Sequence, residues 1–314
     1  MGTAELACPS LVALHEYQGI DVVSVVTQPD RPRGRKLQPQ PSLVKQCAEE
    51  LNLSVQQPET LRDSEAFSEL SMLEPDLIVV VAYGQILPTA VLDLPSHGCL
   101  NIHASILPKY RGAAPIQWTL LNGDNEAGVT IMLMDAGLDT GDIISEARTP
   151  VGSHDNSQTL HDRLAEMGAE LLIKTMPSYL SGDIVPLQQP EEGASHARKI
   201  KKEDGRMNWG EPAYELLRRI RAFTPWPGAF TELPSQEQRL LKIWEAEVVD
   251  GDGPAGEVIL ADESGIVVAC GEQALRLTTV QRDGGKRMTV ADFLRGYPLE
   301  RGTVMGAAIS LVPQ

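Results

Sequence analysis

Along the first 150 residues two textures alternate: short β-branched apolar runs, and amphipathic stretches of about ten residues. That alternation predicts a parallel sheet with helices packed on it, an α/β class. The predicted strands are DVVSVVT (21–27), LSVQQ (53–57), DLIVVVAY (76–83), CLNIHA (99–104), GVTIMLMD (128–135) and DIISEARTPV (142–151). Between them, PSLVALHEYQG opens with Pro9 and closes at Gly19, PSLVKQCAEEL follows Pro41, and SEAFSELSML begins at Ser64; proline, serine and glycine in those places are helix start and stop signals. A longer amphipathic segment spaces Leu160, Leu164, Met167, Leu171 and Leu172 at helical intervals and predicts a helix packed across the sheet.

The texture changes at LQQPEEGASHARKIKKEDGR (187–206), which is polar, charged and aperiodic. We expect a first domain over 1–187, a linker over 188–205 and a second domain over 206–314. The second part shows one helical stretch, PAYELLRRIRAF, and then the short apolar pieces LLKIWEAEVV, GEVILA, GIVVACG and ALRLTTVQ broken by turns, before a closing TVADFLRG helix. Such spacing predicts a small β-barrel or sandwich. In FTPWPGAF (223–230), Trp226 between prolines is expected to anchor packing.

A doubly wound sheet opens on a strand that lies centrally. This sequence opens on MGTAELACPS, a turn leading into a helix. The first strand is thus expected to be missing at the N-terminus, which leaves the edges of its neighbours to be filled in another way.

The longest apolar runs are too short to span a bilayer, and no basic and then apolar leader stands at the N-terminus, which predicts a cytoplasmic protein with no membrane partner. Cys8, Cys47, Cys99 and Cys270 are widely separated, a pattern that speaks against a zinc site or a disulfide framework and for reduced thiols without a metal. The net charge of −16 opposes indiscriminate binding of nucleic acid, so a polyanion would have to meet a local cluster of cations. QPDRPRGRKLQPQP (28–41) supplies one, with Arg31, Arg33, Arg35 and Lys36; others occur at Lys109 and Arg111, at 198–202, at Arg218, Arg219 and Arg221, and at Lys286 and Arg287.

NIHASILP (101–108) stands where a predicted strand ends, which in open α/β sheets is where ligands bind. Asn101 and His103, two apart on a strand, share a face. A carboxamide and an imidazole there suit the stabilisation of an oxyanion and the handling of a proton. MDAGLDTGDII (134–144) is an acidic, glycine-containing loop at another strand end. One of its carboxylates would orient His103, or all would face water around a turn; the residues alone do not choose among Asp135, Asp139 and Asp142.

Taken together, TQPDRPRGRKL, VVVAYGQILP, NIHASILPKYRGAAPIQW, GVTIMLMDAGLDTGDII, RAFTPWPGAF and GGKRMTVADFLRG occur in the order and approximate spacing of one family. Over essentially its whole length the chain resembles methionyl-tRNA formyltransferases. The resemblance implies a Rossmann-like formyltransferase domain with a parallel sheet, joined to a small C-terminal OB-like β-barrel domain that binds tRNA. It implies transfer of the formyl group of 10-formyltetrahydrofolate to the amino group of initiator methionyl-tRNA, without a metal, by a monomer. The catalytic residues it implies are Asn101, His103 and Asp139, with His103 either relaying a proton or steadying the oxyanion as imidazolium. It assigns Ser105, Ile106, Leu107 and Pro108, together with Gln85, Ile86 and Leu87, to the folate, and Arg31, Arg33, Arg35 and Lys36 to the tRNA. Relatives that formylate an amino sugar or another small amine share the same three catalytic residues. The RGAAPIQW and MDAGLDTGD blocks and the second domain favour tRNA, and a folate- or RNA-binding protein without catalysis would lack part of the trio.

Overall fold

The computed structural model of the protein describes residues 1–33, 38–234 and 240–306. The chain separates into two compact units, one formed by Met1–Pro115, Asn125–Val151 and Thr159–Arg198, the other by Ile116–Asp124, Gly152–Gln158 and the chain from Lys199 onward.

In the first unit β1 (Val25–Val26) pairs in parallel with β2 (Val55–Gln56). Beside them β3 (Ile78–Val80) pairs in parallel with β4 (Cys99–His103). Next come β5 (Glu126–Leu133), antiparallel to β4, and β6 (Ile143–Pro150), antiparallel to β5. The expected parallel order therefore holds as far as β4; β5 reverses, and β6, antiparallel to β5, runs in the direction of β4 again. All five residues of β4 are buried, as for a strand covered on both faces. β6 alternates half-buried and exposed positions along most of its length, which is why DIISEARTPV mixes polar with apolar residues.

Helices cover the sheet where the periodicity predicts them. α1 (Cys8–Glu16) carries Pro9 in its first turn, and α2 (Leu43–Glu50) is capped by the Ser42 hydroxyl, which accepts from Lys45 N–H at 3.0 Å. α3 (Ser64–Ser71) follows. α4 (Ser157–Leu180) buries Leu160, Leu164, Leu172 and Met176 almost completely, with Met167 and Leu171 on its flank. At Gly168 this helix touches the strands: a Cβ there would lie 2.8 Å from Ile102 Cγ2 and 3.5 Å from Val129 Cγ1. Ile102 stands between Asn101 and His103 and points to the other face, so α4 presses β4 from behind.

The second unit is an antiparallel β domain. Along its sheet the order is β7 (Ala229–Glu232), β8 (Leu240–Val249), β11 (Ala274–Arg282), β10 (Gly265–Ala269) and β9 (Val258–Asp262), with β12 (Arg287–Thr289) on the side of β11. α5 (Ala213–Ala222) and α6 (Val290–Gly296) contribute Leu216, Ile220 and Phe293 to a core with Leu241, Ile243 and Leu275. Trp226 is not the packing anchor expected from the sequence: it is 55% exposed, and the neighbouring Phe223, at 2%, takes the buried position. The prolines on both sides of Trp226 keep it on a surface turn, whereas Phe223 directly continues the buried face of α5.

Candidate active site

β4 brings Asn101 and His103 onto one face, 8% and 6% exposed. Buried polar groups need partners, and two loops supply them. His103 Nε2 lies 2.9 Å from the Tyr110 carbonyl oxygen. A carbonyl only accepts, so Nε2 carries the hydrogen, and the neutral ring keeps its free lone pair on Nδ1. That Nδ1 lies 3.7 Å from Asp139 Oδ1. Asn101 Nδ2 donates to the same oxygen at 3.4 Å, leaving its second hydrogen for a ligand. The other carboxylate oxygen, Oδ2, accepts from Gly112 N–H at 2.8 Å.

The geometry chooses among the three acids of the loop. Asp135 is spent inside it, accepting from Thr140 Oγ1 at 2.7 and 2.9 Å and from Gly137 N–H at 3.0 Å. Asp142 closes the base of the loop through its carbonyl, which accepts from Leu133 N–H at 2.8 Å. Only Asp139 is directed at the imidazole and the carboxamide. Because β5 is antiparallel, its loop leaves level with Leu100 and folds back over the face of β4 to reach them. Asp139 adopts φ 54° in doing so, a left-handed conformation that aspartate tolerates better than most residues.

Gln189 holds this fold-back in place. Its amide donates to the carbonyls of Asp139 and Gly141 at 2.9 and 2.7 Å, and its oxygen accepts from Arg111 Nε at 3.0 Å. The side chain is 5% exposed, although the sequence around it reads as linker. Further along that segment His196–Ala197 pairs in parallel with Arg111–Gly112, and the Ser195 hydroxyl accepts from Tyr110 N–H at 2.9 Å. Gly112 has φ 119°, and a Cβ would stand 2.8 Å from the Ala197 carbonyl oxygen, so only glycine brings its N–H to Asp139. Neither Gln189 nor the Tyr110 carbonyl is visible in the sequence: an isolated Gln in an aperiodic polar stretch carries no pattern, and a main-chain carbonyl carries no residue type.

The residues expected at the folate divide. Ser105 and Leu107 are buried and shape a turn: Ser105 Oγ donates to Lys109 O at 2.7 Å, and Thr130 Oγ1 donates to Ser105 O at 2.7 Å while accepting from Leu107 N–H at 3.1 Å. Ile106 and Pro108 are half-buried on it. Leu87 belongs to the core, Gln85 is half-buried and donates to Glu59 O at 3.3 Å, and Ile86 is 74% exposed.

Of the basic loop, Arg31 is exposed on a short hairpin in which Arg31–Arg33 pairs with Gln38–Gln40, and it meets Glu59 at 3.4 Å. Arg35 and Lys36 lie outside the described residues, as does the Arg33 side chain. The hairpin is rooted at Asp30, whose carboxylate accepts from Gln57 at 2.7 Å and from Lys45 at 3.0 and 3.1 Å; these bonds hold its pKa below the usual range. Some cations of the second unit are structural. Arg221 donates to the carbonyls of Asp155 and Gly152 at 2.6 Å each, and Arg219 pairs with Glu211 at 2.8 Å.

Residues 2–176 match the formyl transferase family and residues 199–298 its C-terminal domain. Methionyl-tRNA formyltransferases of Citrifermentans bemidjiense and Aromatoleum aromaticum are 47% and 48% identical to the chain, each over 98% of it and over 95% and 96% of their own lengths. The chain belongs to the methionyl-tRNA formyltransferase family.

Among solved structures, a Helicobacter canadensis N-formyltransferase in complex with folinic acid and dTDP-3-aminofucose superposes with a TM-score of 0.61 at 21% identity, covering 88% of this chain and 97% of its own. HypX from Aquifex aeolicus in complex with tetrahydrofolic acid gives 0.58 at 18%, covering 83% and 47%. This chain thus shares its α/β fold with that N-formyltransferase and with HypX. Within this chain the site gathers a carboxylate, a carboxamide and an imidazole on one strand face. Among the described residues no helix is long and apolar enough to cross a membrane.

Proposed function

We propose that this protein transfers the formyl group of 10-formyltetrahydrofolate to the amino group of initiator methionyl-tRNA in the cytoplasm. The observation that carries the reading is the convergence of Asn101 Nδ2, His103 Nδ1 and Asp139 on one face of β4. The free amine attacks the formyl carbon, forming the new C–N bond and a tetrahedral oxyanion. The second Asn101 Nδ2 hydrogen donates to that oxyanion. His103 Nδ1 takes the proton the amine loses; its Nε2–H stays on Tyr110, and the Asp139 carboxylate steadies the imidazolium. The oxyanion collapses, the bond from carbon to N10 breaks, and the proton passes from His103 to N10, releasing tetrahydrofolate. The turn at 105–108 and the loop at 85–87 line the folate site.

An acceptor screen tests the reading: purified protein and 10-formyltetrahydrofolate, with charged initiator tRNA in one arm and nucleotide-linked amino sugars in the other. Formylation of the tRNA is expected, and turnover of the amino sugar alone overturns it. Loop 31–36 is assigned to tRNA phosphates, where each lost contact lowers the slope of log affinity against log salt by roughly 0.7–0.9. Replacing Arg31 and Arg33 with Ala should therefore flatten the salt dependence of the KM for tRNA; an unchanged slope refutes the assignment.

A further inference from the structure

Two peptide planes meet at Tyr110, and their setting decides where the hydrogen of the neutral His103 ring sits. Two acceptors compete for it: the Tyr110 carbonyl, 2.9 Å from Nε2, and the Asp139 carboxylate, 3.7 Å from Nδ1. A carboxylate is the stronger acceptor, so Asp139 alone would draw the hydrogen to Nδ1 and leave the bare lone pair on Nε2. A bare Nδ1 therefore depends on the shorter contact, and on whatever keeps the Tyr110 carbonyl in place.

Tyr110 does not hold that position by itself. Its φ is 62°, in the left-handed region that a residue with a Cβ enters at a cost, so its surroundings must fix it. The plane before it, from Lys109 C=O to Tyr110 N–H, is fixed at both ends by hydroxyls. Ser105 Oγ donates to Lys109 O at 2.7 Å, and Ser195 Oγ accepts from Tyr110 N–H at 2.9 Å. The plane after it carries the Tyr110 carbonyl and ends in Arg111 N–H, which donates to Ser195 O at 2.8 Å. Ser195 N–H in turn donates to Pro108 O at 3.3 Å. One residue thus holds both planes beside Tyr110, the first with its side chain and the second with its main chain. The residues after it anchor the hold: His196–Ala197 pairs in parallel with Arg111–Gly112, Ala113 N–H donates to Ala197 O at 2.9 Å, and Ala197 is fully buried. Ser195 comes from the polar stretch 188–205, expected as a linker, yet it belongs to the first unit.

We infer that Ser195 is a positioning residue for formyl transfer: its hydroxyl fixes the Tyr110 carbonyl and thereby keeps His103 as the Nε2–H tautomer, with a bare Nδ1 for the reacting amine. The inference rests on the proton transfer proposed above for His103. Alanine at this position keeps the main-chain bonds to Pro108 and Arg111 and loses only the hold on the first plane. Tyr110 then turns toward negative φ, its carbonyl withdraws from Nε2, and the hydrogen moves to Nδ1 against Asp139. In that state Nδ1 cannot take the proton the amine loses. The fraction of competent enzyme falls, while the affinity for either substrate does not.

The test uses the full-length protein, labelled with ¹⁵N at histidine, as wild type, Ser195→Ala and Ser195→Thr, with His103→Gln to identify the His103 signals. Ser195 is solvent-exposed, so neither substitution disturbs the core. With the ring neutral, the ¹⁵N shifts separate a bare nitrogen from one that carries hydrogen. Wild type and Ser195→Thr are expected to show Nδ1 bare and Nε2 protonated; in Ser195→Ala the two shifts should move toward one another as the tautomers mix. With methionyl-tRNA and 10-formyltetrahydrofolate, Ser195→Ala should lose roughly five- to tenfold in kcat, the size of one lost hydrogen bond, with KM for either substrate within about twofold. Threonine should restore kcat. An unchanged kcat in Ser195→Ala overturns the proposal. So does a fall in kcat with the wild-type tautomer retained, or failure of threonine to restore both readouts. The spectra need no substrate: a protein that shows the expected shifts but formylates only amino sugars refutes the acceptor and upholds the role of Ser195.

Discussion

One sheet has two kinds of interior. At β4 the buried Asn101 and His103 and the half-buried Asp139 are each met: His103 by Tyr110 O, Asp139 by Gly112 N–H, and Asn101 by Asp139 itself. In the gap between β1 and β3, two hydroxyls, Ser10 Oγ and Ser24 Oγ, are buried with no partner. The first arrangement costs little because its bonds replace those to water; the second keeps the full desolvation penalty. The contrast shows where precision was placed. Tyr110 and Asp139 both adopt left-handed backbone, φ 62° and 54°, to deliver a carbonyl and a carboxylate to the catalytic face. The gap carries no such backbone strain beside its two unpartnered hydroxyls.

Breaking the well-partnered side should have the largest effect. His103→Ala is expected to lower kcat for formyl transfer by roughly 10²–10⁴-fold, the usual worth of a positioned acid or base. Asn101→Ala is expected to lower it by about 10²–10³-fold through loss of the oxyanion donor. Single-turnover kinetics, with folate binding measured separately, checks both. Near-normal transfer by either variant would show that the partnered cluster is a structural network and not the reacting site.

Most of the fold follows from periodicity, because core-facing positions must repeat with the element that carries them. Val25, Ile78 and the run from Cys99 to His103 mark the strands, and Leu160, Leu164 and Leu172 mark the long helix. The antiparallel turn of β5 has no such signature, since a buried apolar run reads alike in both directions. At the site, Asn101 and His103 are legible because their two-residue spacing is itself structural. Asp139 is not legible among three acids, because the choice depends on a loop folding back over β4. Gln189 is invisible, since its role depends on two carbonyls that the sequence does not distinguish.

Gln189 offers the finest cut, because it touches neither the imidazole nor the carboxamide and acts only by holding Asp139. Gln189→Ala is expected to lower kcat about tenfold, worth about 1.4 kcal/mol, with little change in KM for the folate, since the loop that carries Asp139 loses two bonds while β4 keeps its shape. Gln189→Glu separates positioning from packing. It preserves volume and the bond from Arg111, but sets a carboxylate against the carbonyls of Asp139 and Gly141, so it should lose as much as the alanine variant or more. If Glu restores wild-type kcat, the side chain merely fills space. If both variants lose kcat while the melting temperature stays within a few degrees, the partnered interior at β4 extends one residue beyond the groups that do the chemistry.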